Sequence, residues 1–382
     1  MESSKYKRSY SPLLVIGHVV NDMYSNLLAG LLPVLTVAFG LSYMLAGLVA
    51  MVFNVLSSVL QPLLGRWFDR TQTVWLLEAG LVLNCVAMSS VGISPNYLIL
   101  LFLVGTAGVG TASFHPPAFS KVVKSTRSKR GEAMGFFIAG GNTGFFLGPL
   151  VAGVVLTVYG LRGTLLLLPI GLIVAMVLLR ARVTGGEPVE SVPEGSTQPA
   201  NKPLVAVLAA ITACRSTLIS AVEIFLPLYF VSRGAPLILA VALGSLWLGV
   251  GVAGQLGGGY VSDRVGRRPV IVVSLLVGGT LFLGFLATGG ILSLILLALS
   301  GTVLYASWSV IVVMASEAAP RNVGAVSGFM LGFAVGIGGL AALGLGTMAD
   351  HIGLQLSFAA FTGFAFAGGL LGAMLPKQRG AV

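Results

Sequence analysis

Two ionisable residues stand out because each interrupts a long apolar run: Asp22 in 11–38 and Arg215 in 204–231. A charge buried that deeply in apolar sequence is costly and tends to mark function. His18 precedes Asp22 by four residues, so on a helix the two side chains meet on one face. A carboxyl beside an imidazole is chemistry for holding and passing a proton, which makes Asp22 and His18 candidate proton-coupling residues. The competing reading is structural, with Asp22 accepting hydrogen bonds that hold its helix to a neighbour. Arg215 offers a planar guanidinium suited to a phosphonate or carboxylate, so it is a candidate substrate anchor; a permanent ion pair is the alternative.

Three further polar residues lie in apolar runs. Glu223, two helical turns beyond Arg215, is a candidate second protonation site or outer gate, or a solvated entrance charge. Asn142 stands between Gly141 and Gly144 and serves either as a donor to substrate or as a bridge between helices. His115 precedes Pro116 and Pro117, which are expected to break the helix there and expose carbonyls. Its role is a gate or a structural hydrogen bond. Enzyme signatures are missing from the sequence: there is no H-E-x-x-H, no G-x-S-x-G, and no G-x-x-x-x-G-K nucleotide loop. Neither Cys85 and Cys214 nor the three widely spaced histidines make a metal framework. No enzyme activity, metal or cofactor is expected.

The elements that must carry these groups follow from composition. Apolar residues make up 56%, the mean hydropathy is +0.98 and only 9% are charged, against about 25% in soluble proteins. Such a chain takes lipid as its main solvent. Runs long enough to span a bilayer fall at 11–38, 42–64, 74–93, 97–119, 131–158, 163–183, 204–231, 236–259, 269–288, 290–316, 322–347 and 353–375. The first is read as a retained helix, because it is too long for a signal-peptide core and carries His18, Asn21 and Asp22. Asp350 and His351 then fall in an outer loop and are expected to be hydrated. With the N-terminus in the cytosol, every Lys and Arg except Arg162, Arg215 and Arg233 lies on the cytosolic side. The net charge of +10 is therefore a topology signal, and nucleic acid is not an expected partner.

Residues 185–203 are rich in Pro and Glu and read as a cytosolic linker between halves 1–184 and 204–382. An internal repeat supports two halves. Gly65-x-x-x-Asp69-Arg70 follows the second run, and Gly259-x-x-x-Asp263-Arg264-x-Gly266-Arg267-Arg268 follows the eighth. Gly131-x-x-x-Gly135 and Gly324-x-x-x-Gly328 recur at nearly the same offset.

Twelve spans, a central linker and the repeated G-x-x-x-D-R motif resemble the major facilitator superfamily. The resemblance implies an all-α integral membrane fold of twelve transmembrane helices in two six-helix, pseudo-symmetric halves. It also implies that the two G-x-x-x-D-R motifs form a conformational latch in cytosolic loops, joined by Glu78 and Glu317. Because spans one and seven face each other in that fold, an Asp22–Arg215 pair, direct or through substrate, is expected. A narrower likeness is carried by His18-x-x-Asn21-Asp22, Gln61-Pro62, Phe114-His115-Pro116 and Gly140-Gly141-Asn142. These resemble the fosmidomycin-resistance branch of efflux transporters, although Pro117 stands where that branch carries a second carboxylate. Gly144-x-x-x-Gly148-Pro149 resembles the span-five motif of proton-coupled exporters and implies a helix kink, or close helix packing without directional meaning.

Together these imply a proton-coupled secondary transporter, an antiporter exporting a small drug-like or anionic molecule of phosphonate or carboxylate type. Uptake of an organic anion by proton symport is the alternative. Asn21, Gln61, His115, Asn142 and Arg215 are the expected substrate contacts. Protons, a small-molecule substrate and the bilayer are the expected partners, with a monomer as the working unit. The expected location is the cell inner membrane, with both termini cytosolic.

Overall fold

The computed structural model describes residues 12–71, 73, 75–125, 130–181, 200–320 and 323–376. Most of the 185–203 linker, and Arg321 near Glu317, lie outside the described residues. Every long element is a helix, and no strand occurs among the described residues. Lipid dictates this, because only a helix or a closed barrel satisfies its own backbone without water. In order they are α1 (Pro12–Phe39), α2 (Tyr43–Thr71), α3 (Leu76–Ser90), α4 (Tyr97–Ser125), α5 (Arg130–Tyr159), α6 (Leu168–Arg180), α7 (Lys202–Ser232), α8 (Leu237–Val265), α9 (Arg267–Ala287), α10 (Gly290–Tyr305), α11 (Ser307–Ala318) and α12 (Val323–Gly372).

Among the described residues, eleven helical segments are long and apolar enough to cross a membrane. One of them is α12, whose 50 residues are interrupted at Gly353, where φ is +79°. Only glycine takes that backbone conformation without strain, so α12 is two spans joined by a sharp bend, giving twelve. A one-residue break at Ala306 separates α10 from α11 within a single span. The chain is a multi-pass membrane protein.

Three sequence expectations are corrected. The diproline does not break its helix, since α4 runs through Pro116 and Pro117 to Ser125. Proline fixes φ near the helical value but loses its donor and crowds the carbonyl four residues back, and a membrane helix absorbs this when neighbours re-satisfy the freed groups. The repeated motifs are not loops. Gly65–Arg70 lies inside α2, and Gly259–Arg264 lies inside α8. Gly266, with φ at +90°, makes the turn before Arg267 opens α9. Asp350 lies within α12 and is bound to backbone, not simply hydrated.

The described chain packs as two compact units. The first comprises Met1–Leu31 and Leu56–Ser191; the second comprises Leu32–Val55 and Val192–Val382. In the first, α5 lies against α1 at backbone distance. A Cβ on Gly144 would stand 2.2 Å from the Val19 carbonyl oxygen, and one on Gly148 would stand 2.7 Å from that of Met23. Small residues are required there, and α5 continues through Pro149 without a helix break. In the second unit α8 meets α10 as closely, with Gly254 against the Thr302 carbonyl.

Candidate functional site

Within the first unit, α1, α3, α4 and α5 converge on Asp22, which is 5% exposed. His18 Nε2 lies 3.1 Å from Asp22 Oδ2, and His115 Nε2 lies 3.3 Å from Asp22 Oδ1. The first contact is the i, i+4 pairing expected of a helix. The second joins α4 to α1 and makes His115 part of the carboxylate group. Asn21 Nδ2 donates to Asp22 Oδ1 at 3.0 Å.

The far side of each imidazole fixes its chemistry. His18 Nδ1 bonds the Phe137 carbonyl at 2.8 Å, and His115 Nδ1 bonds the Thr111 carbonyl at 3.0 Å. A carbonyl oxygen only accepts, so both Nδ1 atoms carry hydrogen. Both Nε2 atoms therefore face carboxylate oxygens, and each short N···O gap is filled by a proton held on one side or the other. Asp22 thus has both imidazoles and the Asn21 amide as partners. The ligand atoms of His18, Asp22 and His115 lie within 4.8 Å of one another, a convergence hidden in the sequence because His115 is on a different helix.

Packing holds the imidazoles still. His18 stacks on Phe137 with centroids 4.0 Å apart, and Phe119 stacks beside His115 at 6.1 Å. Gly141 leaves room for the pair, since a Cβ there would stand 2.5 Å from the His18 ring and 2.8 Å from Asp22 Oδ2. Asn84 of α3, absent from the sequence expectations, is fully buried and donates to the Asn21 carbonyl at 3.0 Å and to Ser25 Oγ at 3.2 Å. Ser25 in turn meets Thr111 Oγ1 at 2.9 Å. A buried polar residue in the third apolar run was the signal that could have found Asn84. Asn21 itself is fully buried. Gln61 of α2 and Asn142 of α5 are each half-buried, and neither side chain makes a hydrogen bond among the described residues.

The second unit carries a separate polar group. Arg215 of α7 is 5% exposed and has no ion pair among the described residues. Its Nε donates to Ser307 Oγ at 3.2 Å, and its guanidinium carbon lies 4.9 Å from the Trp308 ring centroid and 5.4 Å from that of Tyr305. Aromatic faces compensate a cation without using its N–H donors, so both terminal amino groups remain free for an oxyanion. The Tyr305 hydroxyl donates to Glu223 Oε1. Ser307, Tyr305 and Trp308 were not expected from sequence, where aromatics in an apolar run read as packing.

Of the repeated motifs, the second places Arg267 in an ion pair with Glu317 and Arg264 over the Tyr260 ring at 3.6 Å. Asp263 is exposed, as are Asp69 and Arg70 of the first copy. Glu78 is buried in the first turn of α3.

Comparison with known proteins accords with this fold. The sequence profile described as Major Facilitator Superfamily matches residues 14–343. The chain is 29% identical to the fosmidomycin resistance protein of Escherichia coli (strain K12), with 99% of this chain and 95% of that protein covered. It is also 29% identical to the uncharacterized MFS-type transporter YfnC of Bacillus subtilis (strain 168), covering 97% and 94%. The fold is shared with a bacterial homolog of the human lysosomal transporter Spinster, solved in an inward-facing conformation, at a TM-score of 0.82 and 17% identity over 95% of both chains. The chain therefore belongs to the major facilitator superfamily of membrane transporters rather than to any enzyme class, and within it resembles the fosmidomycin-resistance proteins.

Proposed function

We propose that this chain is a proton antiporter that exports a small drug-like or anionic molecule, of phosphonate or carboxylate type, by alternating access. The observation that carries the reading is Asp22 held between the Nε2 atoms of His18 and His115, with both Nδ1 atoms tied to carbonyls. That group stores exchangeable protons at fixed positions in apolar surroundings. Relatives named for fosmidomycin resistance and, at 26% identity, for multidrug resistance in Citrobacter koseri support export as the direction. Arg215 anchors the anionic group with its two free amino groups, and Asn142 and Gln61 supply further polar contacts. Asn21 positions Asp22.

The G-x-x-x-D-R motifs act as a conformational latch, and the glycines around Pro149 let α5 bear closely on α1. We place the protein in the cell inner membrane as a monomer, with both termini cytosolic.

The test is proton flux in liposomes with an imposed pH gradient and an internal pH dye, using phosphonates, carboxylates and cationic drugs. Substrate-evoked flux that vanishes in Asp22→Asn is expected. Undiminished coupled flux in that variant would remove Asp22 from the mechanism.

A further inference from the structure

Arg215 and Glu223 lie on one helix eight residues apart, about 12 Å along its axis, too far for a direct ion pair. Tyr305 of α10 spans the gap. Its ring faces the Arg215 guanidinium, while its hydroxyl donates to the Glu223 carboxyl. Gly251 of α8 makes space for this ring, because a Cβ there would stand 2.7 Å from it. Trp247 of α8 holds the ring edge-on with centroids 5.3 Å apart. The buried cation and the half-buried carboxyl are thus linked through one side chain, and neither is consumed by the other.

We infer that anion binding at Arg215 and proton binding at Glu223 favour one another through Tyr305, so that each anion is taken up together with a proton. The inference rests on the proposed role of Arg215 as anion anchor. The physical reason is charge balance. With Glu223 ionised, Arg215 and Glu223 cancel, and an incoming anion leaves a net negative charge in apolar surroundings, which is costly. A proton on Glu223 restores neutrality. Among the described residues of this unit, the charged and titratable groups facing Glu223 are Tyr305 and, along its own helix, Arg215. The charged residues of α8, α9 and α11 stand at helix ends, and those of α12, Asp350 and His351, stand at its bend. The proton on Glu223 travels with the anion and cancels its charge. The driving protons of an antiport cycle are then separate, held by the Asp22 group, and more than one of them enters per anion exported, so that net proton flux still runs against the substrate.

The experiment is benzoate binding to the purified full-length protein between pH 6 and 9, a range in which benzoate itself stays ionised. It is read by calorimetry and, in weak buffer, by proton uptake with a pH dye. Wild type is expected to lose affinity with rising pH by up to about tenfold per pH unit, the limit for one linked proton, and to take up about one proton per anion. In Glu223→Gln the affinity should stay high and flat, with no proton uptake. Tyr305→Phe keeps the ring on Arg215 and removes the donor, so the loss of affinity should move to higher pH. Proton uptake and pH slope unchanged in both variants would overturn the linkage while leaving Arg215 as anchor. If benzoate binds at no pH, the anchor reading falls and the linkage falls with it.

Discussion

The carboxylate of Asp350 in α12 closes the N-terminus of α2, with Oδ1 accepting the Tyr43 backbone N–H at 2.7 Å. Oδ2 takes the next donor, Met44 N–H, at 3.0 Å. The first donors of a helix have no partner within it, and an anion there also meets the positive end of the helix dipole. Below this cap the two helices touch at backbone level. A Cβ on Gly346 would stand 2.2 Å from the Tyr43 carbonyl oxygen, and one on Gly339 would stand 2.8 Å from the Asn54 side chain. All of these residues belong to the second unit.

Loss of the cap should be measurable. Asp350→Ala is expected to cost about 1–2 kcal/mol, and Asp350→Asn, which keeps one acceptor, about half of that. Thermal unfolding of purified protein in detergent gives the order wild type, Asn variant, Ala variant. Equal midpoints for all three would show that water replaces the carboxylate at no cost.

The glycines of the seam should be far less tolerant than glycines elsewhere. A Cβ on Gly47 would stand 2.4 Å from the Ala342 carbonyl oxygen, a backbone atom that cannot turn aside. Gly47→Ala should therefore destabilise by about 1–3 kcal/mol. Gly135 has nothing within 4 Å of a built Cβ, so Gly135→Ala should be neutral or stabilising by up to about 1 kcal/mol. The same unfolding assay decides, and a reversed order would mean that α2 and α12 are less closely packed than described.

What the sequence reveals of this fold is what lipid imposes locally. Run lengths, cationic asymmetry and the two G-x-x-x-D-R copies identify the spans, because each is a property of contiguous residues. The His18–Asp22 contact is legible for the same reason, as an i, i+4 pair. The meeting of His115 with Asp22 is not legible, because the diproline suggests a helix end and nothing in one sequence aligns α4 with α1. Tyr305 and Trp308 were missed because an aromatic residue in an apolar run has no signature that separates a cation's partner from packing. Asp350 falls between the apolar runs 322–347 and 353–375 and so reads as a hydrated loop residue, whereas the helix continues to the bend at Gly353.

His115 should matter for the number of protons the first unit holds. His115→Gln removes a titrating group but leaves an amide that can reach Asp22, whereas His115→Phe leaves the carboxylate one partner short. The Phe variant is expected to cost about 1–3 kcal/mol in thermal unfolding, as for a buried polar group left unsatisfied, and the Gln variant less. In the liposome assay, His115→Gln should transport with fewer protons per substrate than wild type. An unchanged proton-to-substrate ratio would limit the exchanging pair to His18 and Asp22.

Arg215 should not be replaceable by lysine even though the charge is kept. Lysine has no Nε–H to give Ser307, and an ammonium offers the rings of Tyr305 and Trp308 a compact, strongly hydrated charge in place of a planar guanidinium. Arg215→Lys should therefore weaken benzoate binding by about tenfold, equivalent to about 1.4 kcal/mol. Trp308→Leu, which keeps the apolar contact but removes one π face, should weaken it by less, since a cation–π contact contributes about 0.5–2 kcal/mol. Competition binding at pH 6, where Glu223 favours the anion, gives the ranking. If lysine binds benzoate as well as arginine does, charge alone suffices and the aromatic frame around Arg215 has no part in anion recognition.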